Sequence, residues 1–333
     1  MRVYLLAAAL LVLALACGKE QEAPPQPFSA GNVLIALDDE HEGTNALLTL
    51  IDLSTGETVG ELTSGYQTWA LFRPSAGELL VSDLEGDDFQ GRLRVFDVRD
   101  TGAPKQTIPM PDRNVSTVWA QAMALSGDER YLYYTARVVE EKYPHWIGII
   151  DLITGEEVAR PELPVGCGQY PTIAAIDRSN VQVFCPANRF VTVDPSGNVS
   201  ELMPFPLPTE ALESLSEPTP SLVRTGRDDV IVHGCLGPGR TIPCPLGDNQ
   251  RILAFNPWDA HFLSGLLVYS EEDPTDVQQF KLPDGIVHFT PVDASTVALL
   301  EADTGRIYLL DLASGEVTGE LRAPSGARWL IAP

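Results

Sequence analysis

Three stretches of this chain read almost alike: D-L-S-T-G-E-T-V-G-E-L over 52–62, D-L-I-T-G-E-E-V-A-R-P over 151–161, and D-L-A-S-G-E-V-T-G-E-L over 311–321. Each follows an apolar run that ends at the aspartate. Looser copies begin at Asp97 (D-V-R-D-T-G-A), Asp194 (D-P-S-G-N-V) and Asn256. The chemistry is that of a tight turn between strands: the aspartate accepts backbone N–H groups across the turn, and the glycine supplies a positive φ. A phrase that recurs at this period marks a solenoid, a propeller or an array.

Two further apolar segments precede each phrase. W-A-L-F-R-P (from Trp69), E-L-L-V-S-D (from Glu78) and R-L-R-V-F-D lead to Asp97, and I-V-H-F-T-P, T-V-A-L-L-E and I-Y-L-L-D lead to Asp311. With the segment after the turn, each unit holds four short strands rich in Val, Ile, Leu and aromatics, separated by Gly, Pro, Asp and Ser. Runs such as L-L-T-L-I-D-L are continuously apolar, as strands covered on both faces are. Helix signals are nearly absent, the best being a turn or two at 209–216. Four-stranded units in tandem without covering helices bury themselves by packing radially. The expected fold is therefore an all-β propeller.

The six turn residues are spaced by 45, 54, 43, 62 and 55 residues, with insertions around His145 and at 205–250. Six phrases predict six four-stranded blades. Seven is the alternative, because the two longest intervals have room for a degenerate unit. The first unit, from Asn32, lacks a leading strand, whereas the chain ends with one, A-R-W-L-I-A-P, which matches W-A-L-F-R-P in the next unit. The last strand should complete the first blade and cover two unpaired edges. The pattern S-G-D-E-R-Y-L-Y-Y-T-A followed by I-I-D-L-I-T-G-E resembles the YVTN-type repeats of bacterial surface and periplasmic propellers, in the quinoprotein amine dehydrogenase-like and WD40-like group. That resemblance spans most of 31–333 and implies fold, with little bearing on activity. The second strands here lack the family's usual Ala-Asn ending.

Arg2 is followed by an uncharged run from Val3 to Ala16 and then Cys17. The run is shorter than the roughly 20 residues of a transmembrane helix and suits a signal-peptide core. Its end, A-L-A-C-G, resembles the lipobox of bacterial lipoproteins, which implies acylation of Cys17. The residue three before that cysteine is Ala14, where the family usually has Leu. Gly18 follows, so an inner-membrane retention aspartate is absent. The expected organisation is a signal peptide over 1–16, a lipidated, polar, Pro-rich tether over 17–30, and one propeller over 31–333. The expected location is the bacterial envelope, at the outer membrane, with the lipid as sole membrane contact and the propeller as a monomer.

The chain carries 46 acidic and 22 basic residues, a net charge of −24, which becomes −25 once Arg2 leaves with the leader. Such a surface repels phosphate backbones and argues against nucleic-acid binding. Four cysteines follow Cys17. In an oxidising compartment they predict two disulfides out of three connectivities, and proximity favours the local pairs Cys167–Cys185 and Cys235–Cys244. No C-x-x-C or C-x-x-C-H occurs, which argues against zinc ligation and excludes covalent haem.

In propellers the loops between second and third strands share one face with the links between blades. Function concentrates there because the scaffold is rigid and the loops vary. Here those loops are read as 38–45, 83–91, 137–145, 186–189, the Cys235–Cys244 insertion, and 301–306. Alignment of the second strands sets Asp38, Asp83 and Glu301 at one equivalent place, taken by Ala136, Cys185 and Gly234 in the other units. Three carboxylates at a channel mouth would suit a hard cation such as Ca²⁺. Tyr66, Tyr143 and Tyr170 fall in loops of the same face and would add aromatic binding surface. The five histidines, at 41, 145, 233, 261 and 288, form no metal motif, and neither a nucleophile elbow nor a phosphate loop is present.

The expected function is a non-catalytic, lipid-tethered propeller that binds or scaffolds an envelope protein or small ligand, without a cofactor. The alternative is a metal-dependent hydrolase of the lactonase type. Six-bladed gluconolactonases hold one divalent ion with Glu, Asn and Asp, which Glu301, Asn188 and Asp83 would resemble, although no motif around them matches. A quinone-cofactor dehydrogenase is the weakest reading, because haem motifs and cofactor-stacking repeats are missing.

Overall fold

The computed structural model describes residues 32–38, 45–85, 90–109, 118–138, 146–164, 167, 172–185, 189–204, 208, 230–233, 244–246, 249–257 and 262–332. Among them there is no α-helix. The strands form six antiparallel sheets.

Blade one contains β1 (Val33–Asp38), β2 (Ala46–Asp52) and β3 (Thr58–Ser64), and blade two β4 (Tyr66–Arg73), β5 (Glu78–Glu85), β6 (Gln90–Asp97) and β7 (Gln106–Pro109). Blade three runs β8 (Val118–Leu125), β9 (Tyr131–Val138), β10 (Gly148–Asp151) and β11 (Glu156–Ala159). Blade four runs β12 (Thr172–Ala175), β13 (Val181–Cys185), β14 (Arg189–Val193) and β15 (Met203–Pro204). In blade five, β16 (Val230–His233) and β17 (Cys244–Pro245) both pair with β18 (Gln250–Pro257), followed by β19 (Gly265–Ser270) and β20 (Val277–Lys281). Blade six contains β21 (Ile286–Pro291), β22 (Thr296–Glu301), β23 (Arg306–Asp311) and β24 (Val317–Arg322). The chain ends in β25 (Trp329–Ile331), which returns to pair with β1 through Ile35↔Ile331, Ala36↔Leu330 and Leu37↔Trp329. The blade count is therefore six, and the C-terminal strand closes the first blade.

The apolar cores lie between neighbouring sheets. Leu48, Leu50, Phe72 and Val81 join blades one and two, and Leu80, Leu93, Met123 and Tyr134 join two and three. Tyr133, Ile149, Val183 and Val191 join three and four, Ile252, Leu266, Phe289 and Leu299 join five and six, and Leu34, Ala298, Ile307 and Leu330 join six and one. This explains the continuously apolar strands: in β1, the successive residues Ile35 and Ala36 belong to cores on opposite sides of the sheet.

The turn chemistry repeats from blade to blade. Asp52 Oδ1 accepts from the N–H of Ser54 at 2.8 Å and of Thr55 at 3.1 Å, and its carbonyl accepts from Gly56 at 2.8 Å. Asp311 Oδ1 accepts from the N–H of Ser314 at 2.7 Å, and its carbonyl from Gly315 at 2.8 Å. Asp151 does the same for Ile153 at 2.9 Å and Gly155 at 2.7 Å. Gly56, Gly155 and Gly315 have φ of 73°, 72° and 73°, the left-handed region where a side chain is strained.

The fifth unit departs from expectation. Asn256 lies inside β18 and does not open a turn; the corresponding turn follows Ser270, where Asp273 takes over the capping of Thr275. Val230–His233 is the innermost strand of its blade, so the Cys235–Cys244 insertion interrupts that strand instead of linking the second and third. An innermost strand split by an insertion leaves two short apolar pieces, and these mimic two separate strands in the sequence.

Candidate functional site

The face opposite the Asp-Gly turns carries the links between blades and the loops from second to third strands. Pairing registers set its geometry. Val33 faces Asp52, Glu78 faces Asp97, Tyr131 faces Asp151 and Thr296 faces Asp311, so the sixth residues of these second strands are Asp38, Asp83, Ala136 and Glu301. Gln250 faces Ser270, which puts Phe255 in that position in blade five. Gly234, assigned there from the sequence, lies outside the described residues.

Asp83 is fully buried. Its Oδ1 accepts from Arg92 Nε at 2.8 Å; its Oδ2 accepts from Arg94 Nη2 at 2.5 Å, the Ser64 hydroxyl at 2.7 Å and the Gly65 N–H at 2.7 Å. Burial alone would raise its pKa, but the bond from Arg92, the Gly65 N–H, the Arg94 charge and the Ser64 hydroxyl outweigh it and hold the carboxyl below the usual range. Arg94 lies over the Phe96 ring at 5.0 Å. Ser64 and Gly65 are the segment that delivers the chain from blade one into blade two. Asp83 is thus an anchor for the link entering its own blade.

The same position serves the same purpose elsewhere. Cys185 is bonded to Cys167, which lies on the link into blade four, so the expected disulfide is present. Glu301 packs against Gly285, on the link into blade six: a β-carbon at Gly285 would come within 3.3 Å of Glu301 Cγ. Its Oε2 accepts from Tyr308 OH at 3.3 Å and from the Thr304 hydroxyl. Asp38 lies against Gly326, on the link into blade one, where a β-carbon would meet Asp38 Oδ2 at 2.8 Å. In blade five the equivalent Phe255 ring covers Gly265, the residue opposite it. Two of the three carboxylates that the alignment set together have local partners: Asp83 holds the link into its blade and its own β6, and Glu301 bonds within blade six. Among the described residues no group of three His, Cys, Asp or Glu side chains is placed to hold a metal ion.

Tyr66, expected in a loop, opens strand β4 opposite Leu84, because the link from blade one is the single residue Gly65. Tyr143, Tyr170, Asn188 and Cys235 lie outside the described residues, as do Cys17 and the whole leader and tether. Cys244 is buried and disulfide-bonded. Sequence reasoning missed Arg92 and Arg94. Their spacing of two puts them on one face of β6, directly and diagonally across from Asp83, and that alternation was the available signal.

No protein-family model and no curated protein matches the chain. Solved structures do. A protein of unknown function from Bacteroides caccae is similar over 90% of this chain and 97% of its own, with a TM-score of 0.53 and 13% identity. A chain of a nidogen/laminin complex is similar over 90% of this chain and 96% of its own, with a TM-score of 0.51 and 10% identity. Likeness at this identity is likeness of fold. It agrees with a six-bladed propeller and carries no activity across.

Proposed function

We propose that this chain is a lipid-anchored propeller of the bacterial envelope, with repeats of the YVTN type, which works by binding or scaffolding through its loop-bearing face and catalyses no reaction. One observation carries the reading. The position at which carboxylates would ring the channel mouth is used for pinning links: Asp83 by two arginines, Ser64 and Gly65, and Cys185 by Cys167. A position spent on the rigidity of the scaffold supports recognition by shape better than it supports chelation. The A-L-A-C-G sequence and the polar 17–30 stretch supply the anchor and tether in this reading.

The test uses the intact protein in its cell. A photo-crosslinking residue in the loops at 87 or 187 should trap a discrete partner band, and one at Ser54 or Ser314, on the opposite turns, should not. Equal labelling from both faces would remove the assignment of the face. Stoichiometric divalent metal retained by purified protein after dialysis would favour a metal enzyme instead. For the anchor, Cys17→Ser should abolish incorporation of labelled palmitate, and unchanged labelling would exclude lipidation there.

A further inference from the structure

The last strand is held by more than its pairing with β1. His288, on the innermost strand of blade six, is buried to 3% exposure, and its Nδ1 accepts the backbone N–H of Leu330 at 3.1 Å. The imidazole meets the Trp329 ring edge to face, with centroids 5.1 Å apart. His288 therefore ties the strand that ends the chain to the blade before it, across the seam where the ring closes. A backbone N–H has only a donor to offer, so this bond exists only while Nδ1 carries no proton.

We propose that His288 is a pH-sensitive latch on ring closure: protonation of its imidazole breaks the bond to Leu330 and loosens β25 from the seam. Protonation turns Nδ1 into a donor aimed at another donor and introduces a charge at a buried position, which the loss of hydration opposes. The sign follows from linkage. The closed ring requires neutral His288 and a released strand does not, so the open state binds more protons and closure weakens as pH falls through the ordinary histidine range, around 6.5.

The neighbouring elements bring few ionisable groups. On β22 the residue opposite His288 is Leu300, and on β25 the contacts are Trp329 and Leu330, none of which ionises in this range. Glu301 follows Leu300 on β22 and is engaged by Tyr308 and Thr304. The links into the two seam strands bring Asp284 and Arg328. The neighbouring β4 brings Tyr66 and Arg73, at its two ends. Histidine is the side chain whose ordinary charge change falls between pH 5.5 and 7.5.

The experiment is amide exchange on the full-length chain, read at the C-terminal peptide and corrected for intrinsic chemistry. Protection of the Leu330 amide should fall at least tenfold between pH 7.5 and 5.5, while β2 and β22 peptides keep theirs. His288→Asn keeps an acceptor oxygen close to the place of Nδ1 and cannot titrate, so its Leu330 protection should not change with pH. Unchanged protection in the wild type, or the same loss in the Asn variant, would overturn the latch. Should His288→Asn fail to fold, ¹⁵N spectra of histidine-labelled wild type decide the matter. His288 must be the Nε2–H tautomer at pH 7.5, and its titration must track the loss at Leu330. An imidazolium already present at pH 7.5 overturns the proposal.

Discussion

Asp83 and Arg92 face each other across β5 and β6, with Arg92 Nε 2.8 Å from Asp83 Oδ1 and the carboxylate wholly removed from solvent. The pair sits where blade one hands the chain to blade two, and the second carboxylate oxygen holds that handover through Ser64 and Gly65. Removing one partner of a buried, hydrogen-bonded pair costs about 3–5 kcal/mol, since its donors lose their acceptor. Asp83→Ala should lower stability by that order in denaturant unfolding. A loss under about 1 kcal/mol, the scale of an exposed pair, would mean that the link is held by other means.

Closure gives a second expectation. Deleting 327–333 removes the buried Leu330 and the half-buried Trp329 and Ile331, and exposes the edge of β1. Burial of large apolar side chains at roughly 1.5–3 kcal/mol each puts the loss near 3–6 kcal/mol, given that two of the three are only partly covered. A domain's whole margin is about 5–15 kcal/mol. The truncated chain should melt far below the intact one or aggregate, and an unchanged melting temperature would show that β25 adds nothing to the ring.

Two glycines separate backbone strain from steric exclusion. Gly315 has φ +73° and room for a β-carbon, which would stand 3.7 Å from the Phe280 ring, whereas Gly305 has φ +66° and would set that carbon 2.6 Å from the Ala323 carbonyl oxygen. Gly315→Ala should cost about 1–2 kcal/mol for the left-handed conformation alone. Gly305→Ala must also displace backbone and should cost clearly more. Thermal melts of the two variants side by side provide the comparison, and equal losses would contradict it.

The cross-link at Cys167–Cys185 closes a separation of 18 residues, for which loop-closure entropy gives about 3 kcal/mol. Replacing both cysteines with alanine should lower stability by about that amount while leaving a folded ring, because, of the cores between blades, only that of blades three and four contains these two residues. Far-ultraviolet dichroism together with urea unfolding would read both parts; loss of all sheet signal would refute the second.

Acid dependence follows from the turn aspartates. The Ser54 hydroxyl lowers the pKa of Asp52, the bond from Arg130 lowers that of Asp151, and the Ser314 hydroxyl lowers that of Asp311. A carboxyl with a folded pKa below its unfolded value, near 3.9, adds stability above that pH and loses it as pH falls toward the folded pKa. Unfolding free energy should therefore drop below about pH 4, a window distinct from that of the His288 latch. In Asp151→Asn, which keeps an acceptor for Ile153 but not the ion pair with Arg130, the acid limb should be shallower. An identical limb would assign the acid loss to other groups.

Much of the fold was legible because its signals are local. An aspartate, a glycine four residues on and apolar runs on either side are enough to form a hairpin turn, and the turns of Asp52, Asp151 and Asp311 formed as expected. Continuous apolarity in strands such as β1 announced sheets covered on both faces. Blade five departed from expectation where locality failed: an insertion divides the innermost strand, and only pairing with β18 shows that β16 and β17 are one.

By itself the sequence determined the turn positions in five of the six units and the closing role of A-R-W-L-I-A-P, and it favoured the Cys167–Cys185 pair, because each depends on residues near in sequence or on a repeat that aligns them. Only the tertiary structure decided what the residues at the ends of the second strands do. Alignment put Asp38, Asp83 and Glu301 in one class and so made them look like a shared site. A carboxylate is drawn to the nearest donors, and these come from the elements packed beside it: Arg92 and Arg94 for Asp83, Tyr308 and Thr304 for Glu301. Equivalence of position along a repeat is set by the backbone, whereas the partners of a side chain are set by what packs against it.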